Sequence, residues 1–155
     1  KIYWAVVTPT PENHDGTIKA PLIKAGGPDK EKVVVDDKEG KYAATEYRVL
    51  EHAMNQAAFV AFWPRTGRTH QIRVHAQLMV SPVLGDGKYG GPEAFIEGLN
   101  HPKMLHLHAQ RIICHHPIQK KVLDISAPLP PELKKTWKEL GFNPSHKVDP
   151  FADIE

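Results

Sequence analysis

Apolar residues fall along this chain in short runs, and their spacing changes character partway through. Ile2 to Val7 is a β-branched and aromatic run of strand length, and the Pro, Asn and Gly residues between Thr8 and Gly16 mark the connection after it. Val33-Val34-Val35 is a second apolar run, closed by a turn-like stretch from Asp36 to Gly40. Ala43 to Leu50 and Ala57 to Trp63 read as two strands joined around Met54-Asn55-Gln56, the pattern of a hairpin. Then the period shifts. Ile72, Ala76 and Met79 recur at i, i+4 and i+7, one apolar helix face, which predicts a short helix within Thr69 to Met79. Glycine is too dense between Val83 and Pro92 for a regular element, so an ordered loop is expected there. Leu105 to Cys114 and Lys121 to Ser126 are further strands, each followed by a proline-containing segment. Pro131 to Leu140 is a closing helix with proline in its first turn and Gly141 just past its end. Strands outnumber helices and do not alternate regularly with them. The expected class is α+β, with a largely antiparallel or mixed sheet flanked by short helices and loops.

The length of 155 residues suits one domain, and an apolar content of 41% argues against disorder. No apolar run approaches the roughly 20 residues of a membrane-spanning helix, so no membrane partner is expected. The chain opens on Lys1-Ile2-Tyr3 without an initiator methionine, and its start is expected to be internal to a longer protein. A lone cysteine, Cys114, cannot form an internal disulfide, which fits a reducing setting: cytoplasm or an organelle matrix. The formal net charge of +2, with ten histidines, is too small to identify a nucleic-acid binder. The local distribution has to carry that case.

It does so in one stretch. Arg65-Thr66-Gly67-Arg68-Thr69-His70-Gln71-Ile72-Arg73-Val74-His75 places three arginines and two histidines at an expected strand-to-helix junction. Free N–H groups and the positive end of a helix dipole favour a phosphate there, and Arg65 and Arg68 would add charge-assisted hydrogen bonds. His70, Arg73 and Gln77 fall at i, i+3 and i+7 beside the apolar face, so Arg73 would project from a rigid element and could hold a carboxylate. Surface ion pairs around a glycine turn are the plainer reading of any arginine-rich stretch.

The whole string changes that weighting. Thr66 to His75, then Gly85-Asp86 with Tyr89-Gly90, then Leu105-His106-Leu107-His108-Ala109 and His116-Pro117, resembles the pattern of the RluA-type RNA pseudouridine synthases. Upstream, Lys1 to Val7, Gly16-Thr17-Ile18 with Pro21-Leu22, and Gly40-Lys41 with Ala43, Thr45 and Tyr47 match in order, so the resemblance runs from about Lys1 to Pro130. It implies the pseudouridine synthase fold and the isomerisation of uridine to pseudouridine in RNA, without cofactor or metal. By motif position it makes Arg73 and Tyr3 catalytic: Arg73 pairs with the family's nucleophilic aspartate, and Tyr3 packs on the target base. Leu105 or Leu107 would line the base pocket, with Arg65, Thr66, Gly67, Arg68, His70 and Gln71 binding RNA. The family's aspartate sits in a His-Arg-Leu-Asp motif ahead of the Lys-x-Tyr strand, and no such motif occurs here. Residues 1–155 are thus expected to be the C-terminal portion of a catalytic domain. The N-terminal half of the same protein would be a partner, and the chain alone would be inactive and poorly stable. Ribosomal large-subunit RNA is the expected substrate, and transfer RNA the other candidate.

Other residues invite competing chemistry. Asp86 could pose as the nucleophile, but an aspartate in Gly85-Asp86-Gly87-Lys88 is expected to stabilise its turn through backbone N–H groups. His106 and His108, with His101, His115 and His116 nearby, raise a metal site, yet no matching carboxylate or thiolate set accompanies them, and they are taken as packing or RNA-facing residues. Cys114 and His115 are adjacent on a strand, so their side chains should diverge, and Cys114 is expected to be buried. Trp4, Trp63 and Trp137 are expected in the core rather than stacked on bases. Two further classes remain beside the enzyme: a non-catalytic RNA-binding module and a histidine-rich metal-binding protein.

Overall fold

Five of the six residues in the strand Ile2–Val7 (β1) are buried, and a strand covered on both faces has to lie inside a sheet. The computed structural model describes residues 1–28, 31–100 and 103–154. In it β1 lies between β6 (Ala57–Pro64) and β7 (Leu107–His115). The full sheet has six strands in the order β2-β5-β6-β1-β7-β8, with β2 at Asp15–Lys19, β5 at Ala44–Ala53 and β8 at Val122–Ser126. Every pairing in it is antiparallel. A separate two-stranded hairpin is built from β3 (Leu22–Ala25) and β4 (Lys32–Val35). Three helices accompany the sheets: α1 (Gln71–Leu78), the single turn α2 (Gly87–Gly90) and α3 (Pro131–Glu139). The fold is α+β with an antiparallel sheet.

Period-two alternation divides the core between the two faces of this sheet. Ile2, Trp4 and Val6 turn to one face with Phe59, under Leu133 and Trp137 of α3 and under Phe142 and Phe151 of the C-terminal segment. Ala5 and Val7 turn to the other with Val60 and Phe62, where Ile72 and Ala76 of α1 cover them and Met79 packs alongside. The i, i+4, i+7 stripe is therefore the buried face of α1, and it anchors the helix that carries Arg73.

Several elements differ from the sequence expectation. β2 and β3 occupy segments with little apolar alternation; β2 exposes every second residue at a sheet edge, so burial left no pattern to read. The glycine-rich stretch from Val83 to Pro92 is more regular than a loop. Asp86 caps α2, and a 3-10 turn at Gly91–Ala94 follows. Gly85 enters this turn at φ +85°, with the Met104 carbonyl oxygen where a Cβ would project, so only glycine fits. Cys114 is exposed rather than buried, because the outer end of the β7–β8 hairpin extends past the cover that α1 and α3 provide. Trp4 and Trp137 are core residues, while Trp63 is half-buried with the Arg65 guanidinium over its ring, 3.4 Å from the centroid. No described helix is long and apolar enough to cross a membrane.

Candidate active site

The chain leaves β6 at Pro64 and enters α1 through a six-residue turn whose shape is set by a closed set of hydrogen bonds. The Gln71 amide donates to the Ala44 carbonyl (3.0 Å) and to Thr45 Oγ1 (2.9 Å). Its oxygen accepts from Thr66 Oγ1 (2.7 Å) and from the Arg68 N–H (3.1 Å). Behind it the fully buried His75 lies 3.0 Å from the Ala20 carbonyl through Nε2 and 2.8 Å from Thr45 Oγ1 through Nδ1. A carbonyl only accepts, so Nε2 carries the proton and Nδ1 accepts from the threonine hydroxyl. All polar positions of the Gln71 side chain are used inside the protein. Gln71, expected to bind RNA, spends its side-chain hydrogen bonds on shaping this turn.

Next to this turn opens a cleft of about 620 Å³. Tyr3, Thr66, Gly67, Arg68, His70, Gln71, Arg73, Leu105 and Leu107 line it, joined by Lys1, Pro64 and Ile72. Of the residues expected at the site, Arg65 alone stands outside these walls, stacked on Trp63 and 3.8 Å from Glu46. Tyr3, Pro64, Ile72, Leu105 and Leu107 give the walls an apolar part, Arg73 is set beside it, and Lys1 and Arg68 add positive charge. Such a cleft accepts a flat, uncharged ring attached to an anionic backbone.

Arg73 does not wait unpaired. Its Nε and Nη2 grip Asp86 in a fork at 3.0 and 2.8 Å, and the Asp86 side chain is completely buried. A carboxylate taken wholly out of water needs a charged partner, and the two-pronged guanidinium supplies one. The expectation that Arg73 pairs with an aspartate from outside this sequence therefore meets an internal partner. Nη1 is not part of that fork. Asp86 also accepts the Tyr89 N–H (3.2 Å), which confirms its reading as a turn stabiliser and adds a second task, aiming Arg73. The pair holds the Arg73 pKa above its already high ordinary value.

Tyr89 gathers the rest. Its ring faces the Arg73 guanidinium at 4.9 Å, and its hydroxyl accepts the Val33 N–H (3.1 Å) and lies 2.7 Å from His70 Nδ1. The hydroxyl has one proton to give, and giving it to Nδ1 requires a neutral imidazole. Burial first, then the charges of Arg73 and Lys88, lower the His70 pKa and favour that form. Sequence reasoning had placed Tyr89 only within a motif; its position beside His70 and Arg73 comes from tertiary contact.

Burial likewise pushes the His75 pKa below its ordinary value. Histidines whose folded pKa is depressed leave the unfolded chain binding more protons as pH falls through about 6.5, so stability is full above that value and is lost as pH falls toward the folded pKa. The urea midpoint should drop between pH 7.5 and 5.5, before carboxylates begin to protonate; an unchanged midpoint would contradict a neutral, buried His75 and a neutral, partly buried His70.

The remaining histidines scatter. His106 is buried against α3, with Nε2 at 2.8 Å from Thr136 Oγ1 and Nδ1 at 2.8 Å from the Met104 carbonyl, while His108 Nε2 lies 2.9 Å from the Ala127 carbonyl. His101 lies outside the described residues. Among the described residues no three His, Cys, Asp or Glu side chains converge as a metal ion would require.

The sequence model of the RNA pseudouridylate synthase family matches residues 1–78, half of the chain, including Tyr3 and the whole of α1. An RNA pseudouridine synthase of Zymomonas mobilis is 39% identical over 144 residues, 92% of this chain and 60% of the relative. The ribosomal large subunit pseudouridine synthase C of Rickettsia prowazekii is 35% identical over 130 residues, 84% of this chain and 42% of the relative. The chain thus spans between two fifths and three fifths of these relatives. Among solved structures, human RNA pseudouridylate synthase domain containing 4 superposes with a TM-score of 0.68 at 26% identity, covering 90% of this chain and 61% of the human one. This chain belongs to the RNA pseudouridylate synthase family.

Proposed function

We propose that this chain provides the arginine, the tyrosine strand and most of the RNA cleft of an enzyme that isomerises uridine to pseudouridine in RNA. The observation that carries the reading is Arg73, held from behind by the buried Asp86 and lining one cleft with Tyr3, Leu105 and Leu107. In the reaction the bond between the sugar and uracil nitrogen breaks, the uracil turns, and it rejoins the sugar through carbon 5. The base must stay dry and flat while detached, which the leucines and the Tyr3 ring provide. Arg73, fixed through Nε and Nη2, keeps Nη1 for a second carboxylate, the nucleophilic aspartate. No His-Arg-Leu-Asp segment occurs in residues 1–155, so that aspartate comes from elsewhere in a longer catalytic domain, of which this chain is the C-terminal portion. The residues proposed to act are Arg73 and Tyr3 on the reacting nucleotide, with Lys1, Arg68 and His70 along its backbone. Ribosomal large-subunit RNA is the proposed substrate, in keeping with the names of the relatives, and transfer RNA is the alternative the test includes.

The test uses the full-length protein with ribosomal and transfer RNA transcribed with 5-tritiated uridine. Tritium release from large-subunit RNA is expected. Tight binding without release from either RNA would favour a non-catalytic RNA-binding module. Binding itself should weaken steeply with salt, by a slope near ~0.7 for each single-strand phosphate contacted. Affinity that stays flat from low to high salt would refute phosphate contacts by Lys1 and Arg68.

A further inference from the structure

A second pocket of about 410 Å³ lies on the far side of the Gly67-Arg68-Thr69 turn, between that turn and the β3–β4 hairpin. Leu22 and Val33 line it as buried apolar residues, and Lys24, Lys41 and Arg68 contribute cations beside Glu39, with Lys24 also 3.6 Å from Glu31. Gly67 and Arg68 line both this pocket and the Arg73 cleft, so the two adjoin across the backbone of this turn. No neighbouring atom lies within 4 Å of the place where a Gly67 Cβ would project, so the crest of the turn is open for a chain to cross.

The pocket also presents a backbone edge. Leu22 turns its N–H and C=O away from β4 to Lys41, with both bonds at 2.9 Å. Polar groups along a strand alternate sides, so Lys24, two residues on, turns its N–H and C=O to the same outer edge, where the two-stranded sheet has no further strand. A donor and an acceptor side by side, without a partner among the described residues, above an apolar floor match the edge and face of a nucleobase, and the three cations match the phosphates on either side of it. Arg68 is placed for this, because its Nε donates to the Tyr42 carbonyl (2.9 Å) and thereby fixes the guanidinium over the turn.

We infer that this second pocket holds the base of a nucleotide flanking the target uridine, on the same RNA strand. The inference rests on the proposed reaction and extends it: the strand crosses Gly67, with the target uridine in the Arg73 cleft and a neighbour seated against β3. Specificity for sequence context then resides in the Lys24 backbone edge, and the β3–β4 hairpin is a reading element as well as a wall. Tyr89 connects the two pockets, since its hydroxyl holds Val33 of the hairpin and faces His70 of the cleft.

The experiment measures binding and turnover separately on the full-length protein. A 20-nucleotide RNA bearing the target uridine is compared with versions abasic at each of the two positions on either side. One abasic position should weaken Kd about tenfold in the wild type, the size of one lost stacked base. Ile23→Trp and Thr69→Trp fill the pocket from opposite walls and replace none of the residues assigned to the reaction, and Ile23→Trp does so from the hairpin, away in sequence from Arg68 and His70. Each should bind intact RNA about as the wild type binds that abasic RNA, and should no longer distinguish the two. Thermal unfolding screens out a misfolded variant, and the second substitution stands in for the first. Equal affinity of the wild type for every abasic RNA, or an undiminished abasic penalty in both filled variants, would overturn the inference. The pocket would then be free for another ligand, such as a peptide strand added to β3. Absence of pseudouridine in RNA that binds with the expected abasic penalty would instead remove the proposed reaction and leave the pocket assignment standing.

Discussion

Arg73→Ala should lower the stability of the folded chain by ~3–5 kcal/mol and abolish pseudouridine formation in the full-length protein. The stability loss follows from Asp86, whose side chain has no exposure to solvent and whose other side-chain bond among the described residues is to the Tyr89 N–H. With the guanidinium gone, a buried carboxylate is left with one neutral donor. Arg73→Lys should rescue little, because an ammonium is a single point and cannot fill both prongs of the fork. The double variant Arg73→Ala with Asp86→Ala separates structure from chemistry. It removes both charges, so it should recover much of the stability lost in the single variant, a coupling visible in a double-mutant cycle, while turnover stays at background. Additive stability losses would mean that the fork contributes nothing as a pair. Near-normal turnover by Arg73→Ala would remove Arg73 from the reaction altogether.

The fork also shows where reading the sequence reaches its limit. Arg73 was legible because its neighbours Ile72 and Ala76 fix the helix face, and because the string from Thr66 to His75 is dense in cations. Asp86 was legible as a turn residue, since its side chain bonds locally to the Tyr89 N–H three positions on. The contact between the two was not, because it depends on how α1 and α2 pack and no periodicity spans them. β1 and β6 announced themselves through apolar and β-branched runs that pack on both faces of the sheet, and β5 through Tyr47, Val49 and Leu50 between polar residues. β2 and β3 did not: β2 is an edge strand with every second residue exposed and has the composition of a loop, and β3 is only four residues long. Cys114 misled for the opposite reason, since an apolar strand in the sequence, Leu107–His115, overhangs the covered part of the sheet. The C-terminal segment beyond Gly141 has no period at all. Even so it buries Phe142 and Phe151 and ties itself to two strands through Arg48–Asp153 (2.8 Å) and Arg111–Asp149 (3.4 Å).

Trp137 is the residue on which that covered face depends, and two substitutions there should give clearly different results. It is fully buried, with its ring edge-on to Phe59 at 5.3 Å, and Phe59 in turn meets Trp4 at 5.0 Å, so one aromatic column joins α3 to β6 and β1. Trp137→Ala should cost ~3–5 kcal/mol, the range for emptying an aromatic site in a packed core. The indole nitrogen, however, has no hydrogen-bond partner among the described residues, and an unmet buried donor carries a penalty of ~1–3 kcal/mol in the folded protein. Trp137→Phe keeps most of the ring contact and deletes that donor, so its net cost should be within ~1 kcal/mol of zero. The effect should also reach the cleft. Thr136, next on the helix, holds His106 at 2.8 Å, and His106 is flanked in sequence by Leu105 and Leu107, which line the cleft. A slackened α3 in Trp137→Ala should therefore raise KM for RNA as well as lower the urea midpoint, while Trp137→Phe leaves both close to wild type. If Trp137→Phe proves as damaging as Trp137→Ala, the indole N–H has an acceptor in solution, and the account of this face as a purely apolar column is wrong.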